Sequence, residues 1–134
     1  MLKIVQVNVR HFYNNRHFIY DFLDQENPDV LLLNSTAVIN GYKIRHYGYT
    51  SRQTADGASR GTAILIKSTF NHSFLTNFFN HPDFLAVKIF TLTGPLIIST
   101  AYIRPYSNLP LLDFNKLFNI NSIPVFFAGD IKGP

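Results

Sequence analysis

The stretch "PVFFAGDIKG" (124–133) runs apolar residues into Gly129 and Asp130, as a buried strand does when it delivers a carboxylate to the edge of a sheet. A carboxylate so placed can hold a cation or activate water, given partners. The sequence offers few. Glu26 is the only glutamate, and it ends a helical segment away from the strand tips. The histidines (His11, His17, His46, His72 and His81) stand in no motif that marks a general base. Ser35 and Thr36 lack the adjacent base that would make either a nucleophile, and read as residues at the end of a strand. With no cysteine, thiolate chemistry, thiolate zinc sites and disulfides are excluded.

The elements that must position Asp130 follow from periodicity. Residues 2–9 (LKIVQVNV) read as a strand, and Phe18, Ile19, Phe22 and Leu23 form i,i+4 pairs on one face of a helix capped by Asn14 or Asn15. Pro28 ends that helix, because proline excludes helical geometry in Asn27. Residues 29–33 (DVLLL) are the continuous apolar run of a strand buried on both faces, which completes a βαβ unit. A polar, turn-rich stretch follows, with a short strand expected over 42–46. Further strands are expected over 62–67, 84–91, 96–103 and 123–128, with a hairpin turn at Thr93-Gly94. Pro110 opens a second helix, with Leu111, Phe114, Leu117 and Phe118 at helical spacing. There is no linker or repeat, so residues 1–134 read as one domain.

Composition narrows the function classes. Hydrophobic residues are 46% and charged residues 15%, which argues against disorder. The 13 Phe and 7 Tyr demand extensive packing, and in a domain of 134 residues some of that apolar surface is expected to face a partner. The 12 Lys and Arg against 8 Asp and Glu give a net charge of +4 without any basic run, so nucleic-acid contact would need a cluster formed in space. Arg45, Arg52, Arg60 and Lys132 are the candidates. No apolar stretch is long enough to cross a bilayer and none resembles a signal peptide, so an intracellular protein, nuclear or cytoplasmic, is expected.

In this order, "LKIVQVNVR", "NPDVLLLNSTAV", "GTAILIK", "LIISTAYIRP" and "PVFFAGDIKG" resemble the amino-terminal half of the endonuclease domain of non-LTR retrotransposons of the jockey and LINE type. Those domains belong to the endonuclease/exonuclease/phosphatase superfamily of Mg²⁺-dependent phosphodiesterases. The resemblance implies a four-layer α/β sandwich. It places Asn8 where the family holds metal or phosphate, and Tyr102 where the family contacts the scissile phosphate. Asp130 falls where the family activates water. It also exposes departures. The metal-binding glutamate falls on Ser35, Lys132 stands where the family has asparagine, and the closing motif with its general-base histidine is not found.

Asn8, Tyr102 and Asp130 each have an ordinary structural explanation taken singly. Together, at the carboxyl ends of strands expected to be neighbours, they mark a pocket of inherited geometry. Neutral Ser35 replaces a carboxylate that Mg²⁺ requires, so no metal, cofactor or catalysis is expected. The resulting expectation is half of the parent sandwich: one mixed sheet and two main helices, inactive, binding protein or completed as a homodimer. Phe84, Val87, Ile89, Ile97 and Phe126 would supply the interface. The alternatives are a Mg²⁺-dependent endonuclease of the same superfamily and a non-specific nucleic-acid binder.

Overall fold

The computed structural model describes residues 2–39, 41–54, 61–104, 108–120 and 122–131. The chain begins β1 (Ile4–Asn8), α1 (Phe12–Glu26) and β2 (Val30–Asn34), with β1 and β2 parallel as the βαβ reading requires. β3 (Tyr49–Gln53) and β4 (Thr62–Lys67) complete a four-stranded sheet of order β1-β2-β4-β3. β5 (His72–Phe74), β6 (Phe84–Thr91), β7 (Gly94–Ile103) and β8 (Val125–Phe127) form a second sheet in that order. β9 (Asp130–Ile131) continues along the same side of β7 beyond the end of β8. α2 (Leu111–Phe118) precedes β8.

Side-chain alternation assigns the layers. On the first sheet, odd-numbered Leu31, Leu33 and Leu65 pack against Phe12, Ile19 and Leu23 of α1. Even-numbered Val30, Leu32, Ile64 and Ile66 face Val87, Ile89 and Ile98 of the second sheet. The outer face of that sheet, including Ala86, Ile97 and Ala101, packs on Leu117 and Phe114 of α2. The layers are thus helix, sheet, sheet, helix, built by one chain.

The α/β class stands, but the single mixed sheet of the sequence reading is corrected to two. Strands β6 and β7 are apolar on both faces, so each face needs a cover, and α2 and the first sheet supply the two covers. The stacked-sheet interface is corrected with it. Phe84, Val87, Ile89 and Ile97 are interior residues of this chain, and of the five proposed contacts only Phe126, 41% accessible, remains at the surface.

Local departures have local causes. α1 is capped by neither Asn14 nor Asn15: His11 holds the N-cap, and the Asn15 amide instead donates to the carbonyls of Val9, Arg10 and His11. Asn27 closes the helix in the left-handed region, its N–H bonded to Leu23 O at 3.0 Å. The strand expected over 42–46 is absent, and β3 lies just beyond it. Side chains of β3 satisfy that segment in place of a ladder. Gln53 accepts from Ile44 N–H (2.8 Å) and donates to Tyr42 O (2.8 Å), while Ser51 donates to Ile44 O (2.7 Å). In α2, Leu117 is buried, but Leu111 and Phe118 of the expected apolar face are exposed.

Candidate functional site

The inward-facing positions change character along the strands. Ile4, Gln6, Asn8 in β1, Val30, Leu32, Asn34 in β2, and Leu96, Ile98, Thr100, Tyr102 in β7 run from apolar to polar towards the carboxyl ends. Register aligns them: Asn8 lies opposite Asn34, Asn34 opposite Thr62, and Tyr102 opposite Asp130. The polar residues therefore gather at one end of the space between the sheets.

Asn34 is the centre of this end and is fully buried. Its Oδ1 accepts from Gln6 Nε2 at 2.5 Å, and its Nδ2 donates to Thr100 Oγ1 (3.0 Å) and Ala101 O (3.2 Å). Burial of an amide is tolerable only with such partners. A second cluster surrounds buried Asp83, which accepts the Thr54 hydroxyl on Oδ1 and the Thr62 hydroxyl on its carbonyl, both at 3.0 Å. Its N–H donates to His81 Nδ1 (3.1 Å), and its carbonyl also receives Tyr102 N–H (3.1 Å).

Asp130 reaches this end because the chain skirts β7 at Gly129. A Cβ on Gly129 would lie 2.5 Å from the Ala101 carbonyl oxygen, so only glycine permits the approach. Asn8 Nδ2 then donates to Asp130 Oδ2 at 2.5 Å, joining β1 to β9 at this end. The other amide atom, Asn8 Oδ1, is buried without a hydrogen-bond partner among the described residues, as is Thr36 Oγ1.

Ser35 sits in the turn after β2 with φ 59°, a left-handed conformation uncommon outside glycine. Its carbonyl accepts His11 N–H (3.1 Å), and the neighbouring Thr36 carbonyl accepts Phe12 N–H (2.7 Å), tying this turn to the start of α1. Gly61 packs against the same turn, where a Cβ would meet Thr36 Oγ1 at 2.3 Å. Backbone outliers gathered at one rim are a common signature of sites.

The structure thus brings Asn8, Tyr102 and Asp130 to one end and puts Ser35 on the turn beside β1. Lys132 and Arg60 lie outside the described residues. Arg45 and Arg52 do not converge: Arg45 is in the loop packed on α1, whereas Arg52 faces the second sheet, its guanidinium 5.2 Å from the Phe74 ring centroid. Glu26 is remote, paired with Lys3 at 3.1 Å near the start of β1. Sequence reasoning missed Gln6, Asn34, Thr62, Asp83 and Thr100. The available signal was a polar residue on the inward parity of an otherwise apolar strand.

The donor set at this end does not fit a resident Mg²⁺. The ion takes oxygen ligands and relies on carboxylates for its charge. Asp130 and Asp83 each accept a hydrogen bond from a neighbour, Asn8 and Thr54 respectively, and neutral Ser35 occupies the glutamate position implied by the resemblance. Among the described residues, no three of His, Asp and Glu converge as metal ligands. Nor is any described helix long and apolar enough to cross a membrane.

No family model matches the sequence, and no curated protein matches it either. Solved structures match the fold. The endonuclease domain of TRAS1, a telomere-specific non-LTR retrotransposon, superposes with a TM-score of 0.77 at 12% identity, covering 96% of this chain and 59% of that one. The AP endonuclease LMAP from Leishmania major gives 0.72 at 15% identity, over 96% and 54% of the two chains. D. rerio TDP2, in complex with a single-strand DNA product, gives 0.65 at 22% identity, over 96% and 60%. The chain therefore spans between 54% and 60% of the length of these structures. Over that span it has the α/β fold of endonuclease/exonuclease/phosphatase-type enzymes, as its motifs imply.

Proposed function

We propose that this endonuclease-like domain acts by binding a polypeptide and does not hydrolyse phosphodiesters. What carries this reading is Ser35, a neutral residue where the resemblance implies a metal-binding glutamate, at an end where Asp130 and Asp83 each accept a hydrogen bond from within the protein. Cleavage of a phosphodiester in this type of site needs a divalent ion to neutralise charge developing on the phosphate, and a base to take the proton of water. This end keeps Asn8, Tyr102 and Asp130, to which the resemblance gives positioning roles, and lacks the ion's carboxylate pair. Retained geometry with lost chemistry is what a binding module descended from an enzyme would carry. Polypeptide is favoured as ligand because the open strand edges offer backbone groups for pairing, while Arg45 and Arg52 form no common basic surface.

A second reading, contact with single-stranded nucleic acid, is favoured by one feature. Arg52 and Phe74 line a groove of about 250 Å³ together with Phe78, Phe79 and His81, joined to the polar end through Thr54. A cation beside aromatic faces is the ordinary means of holding unpaired bases. Binding of this kind would be weak, on the order of 10⁻⁴–10⁻⁶ M, and would fall steeply with salt.

Incubation with supercoiled plasmid in Mg²⁺ or Mn²⁺ tests the main reading. No nicking is expected from the protein or from Ser35→Glu, which restores a single ligand. Metal-dependent nicking that Asp130→Ala abolishes would overturn the proposal.

A further inference from the structure

The edge strands β3 and β5 lie on the same side of the sandwich and are covered differently. Residues 42–46 lie along β3, where Tyr49 N–H donates to His46 O (3.1 Å) and Gln53 and Ser51 bind the backbone of Ile44. β5 is the edge of the second sheet farthest from β8 and β9, and among the described residues no strand pairs with its outer side. Leu75 N–H bonds to Ala86 O and Phe90 N–H to Asn71 O, so the odd-numbered residues here face β6. The N–H and C=O groups of His72 and Phe74 therefore point outwards. Of these, the Phe74 carbonyl receives only the Thr76 hydroxyl, at 3.5 Å.

Beside this bare edge stands a cation without an anion. Phe74 packs inwards between the sheets, and Arg52 has the inward parity of Ile64, its register partner. The exposed Arg52 guanidinium sits 5.2 Å from the Phe74 ring centroid and makes no hydrogen bond or ion pair among the described residues. No acidic residue lines the groove that these two share. Behind its wall, Asp83 and Asp113 are buried and turned to donors of this chain. Asp83 accepts the Thr54 hydroxyl, and Asp113 accepts the N–H groups of Asn80 (2.9 Å) and His81 (2.7 Å).

We propose that the β5 edge and this groove bind an extended peptide with an acidic residue at its centre. A peptide strand antiparallel to β5 exchanges both backbone hydrogen bonds with Phe74. The peptide residue opposite Phe74 carries its side chain on the same side of the sheet, where the Arg52 guanidinium lies. A glutamate or aspartate there meets a planar donor fork that matches a carboxylate. The backbone supplies affinity and Arg52 supplies selectivity, the usual division when a strand adds to a sheet edge. Unpaired bases are served less well by the same groove. Phe74 is already faced by Arg52, and Phe79 stacks on Phe84 with centroids 4.2 Å apart, which occupies the ring faces that bases would need.

This inference rests on reading the domain as a polypeptide binder, and it fails independently of the plasmid test: a protein without nicking can ignore the peptide, and a nicking protein can bind it. The probe is a capped peptide, Thr-Val-Glu-Val-Thr, titrated into the ¹⁵N-labelled protein. Saturable shifts of the His72, Phe74 and Thr76 amides are expected, with a Kd on the order of 10⁻⁴ M. Glutamine in place of the peptide's glutamate should weaken binding about tenfold, the worth of one charge-assisted contact. Arg52→Gln should remove that preference. Methylating the glutamate nitrogen, which deletes the donor opposite Phe74, should abolish the shifts. The proposal is overturned by no shift at these amides, by equal binding of the glutamate and glutamine peptides, or by an unchanged response to the methylated peptide. Shifts produced by oligothymidylate and not by the peptide overturn it as well, in favour of single-stranded nucleic acid.

Discussion

The layer between the two sheets has a dry end and a wet end, and the same strands build both. At the dry end Val30, Leu32, Ile64, Ile66, Val87, Ile89 and Ile98 are fully buried side chains with no polar atom among them. At the wet end, a few residues further along the same strands, the inward positions become Asn8, Asn34, Thr62, Thr100 and Tyr102. Burial at the dry end stabilises in proportion to area, whereas each buried amide or hydroxyl at the wet end costs desolvation that its hydrogen bonds only offset. A protein with no use for the wet end would gain by filling it with leucine and valine. The wet end therefore lowers the stability that the dry end supplies.

The largest test of this contrast pairs one truncation at each end. Leu32→Ala removes a fully buried side chain from the dry end and should cost about 2–5 kcal/mol by transfer and cavity effects. Asn34→Ala removes similar volume from the wet end but leaves Gln6 and Thr100 without a bond that each now makes. It should cost about 1–3 kcal/mol, as expected for buried groups left unsatisfied. Urea denaturation of both variants supplies the comparison. Equal losses, or a larger one for Asn34→Ala, would mean that the polar end contributes as much to stability as the apolar core and is not a cost carried for function.

Much of this was legible in the sequence, and what was missed shares a cause. The βαβ unit and the long strands were readable because apolar runs and helix spacing are local signals. So were Asn8 and Asp130, which lie in recognisable motifs and meet at 2.5 Å. The division into two sheets was not, because both faces of β6 and β7 are apolar and periodicity alone does not say which layer covers which face. β3 was displaced from the expected 42–46 for a related reason: a tyrosine and an isoleucine in that segment look strand-like, but Gln53 and Ser51 bind its backbone through side chains. Asn34, the best-connected polar residue of the site, looked like the polar end of "VLLLN" until register put it opposite Asn8 and Thr62.

The smallest effect concerns the outer rim of the dry end, where polar groups clamp strand ends of the first sheet without entering the core. Asp29 accepts from Lys3 N–H at 2.7 Å and pairs with Lys67 Nζ at 3.2 Å, and the Tyr49 hydroxyl donates to the neighbouring Pro28 carbonyl at 2.6 Å. Burial raises the Tyr49 phenol above its ordinary value of 10.0, and the carboxylates of Asp29 and then Asp24 add to the shift. The fold therefore favours the neutral phenol. Stability from this preference is complete below about pH 10 and is lost as pH rises through the higher folded value. Tyr49→Phe should cost about 1 kcal/mol at pH 8, through loss of one hydrogen bond. Because lysines also titrate above pH 10, the informative quantity is the stability difference between the protein and Tyr49→Phe. That difference should shrink as pH is raised beyond 10. A difference that stays constant to pH 11 would show that the phenol ionises equally well in the folded and unfolded chains, and that the rim, unlike the wet end, holds no group in a disfavoured state.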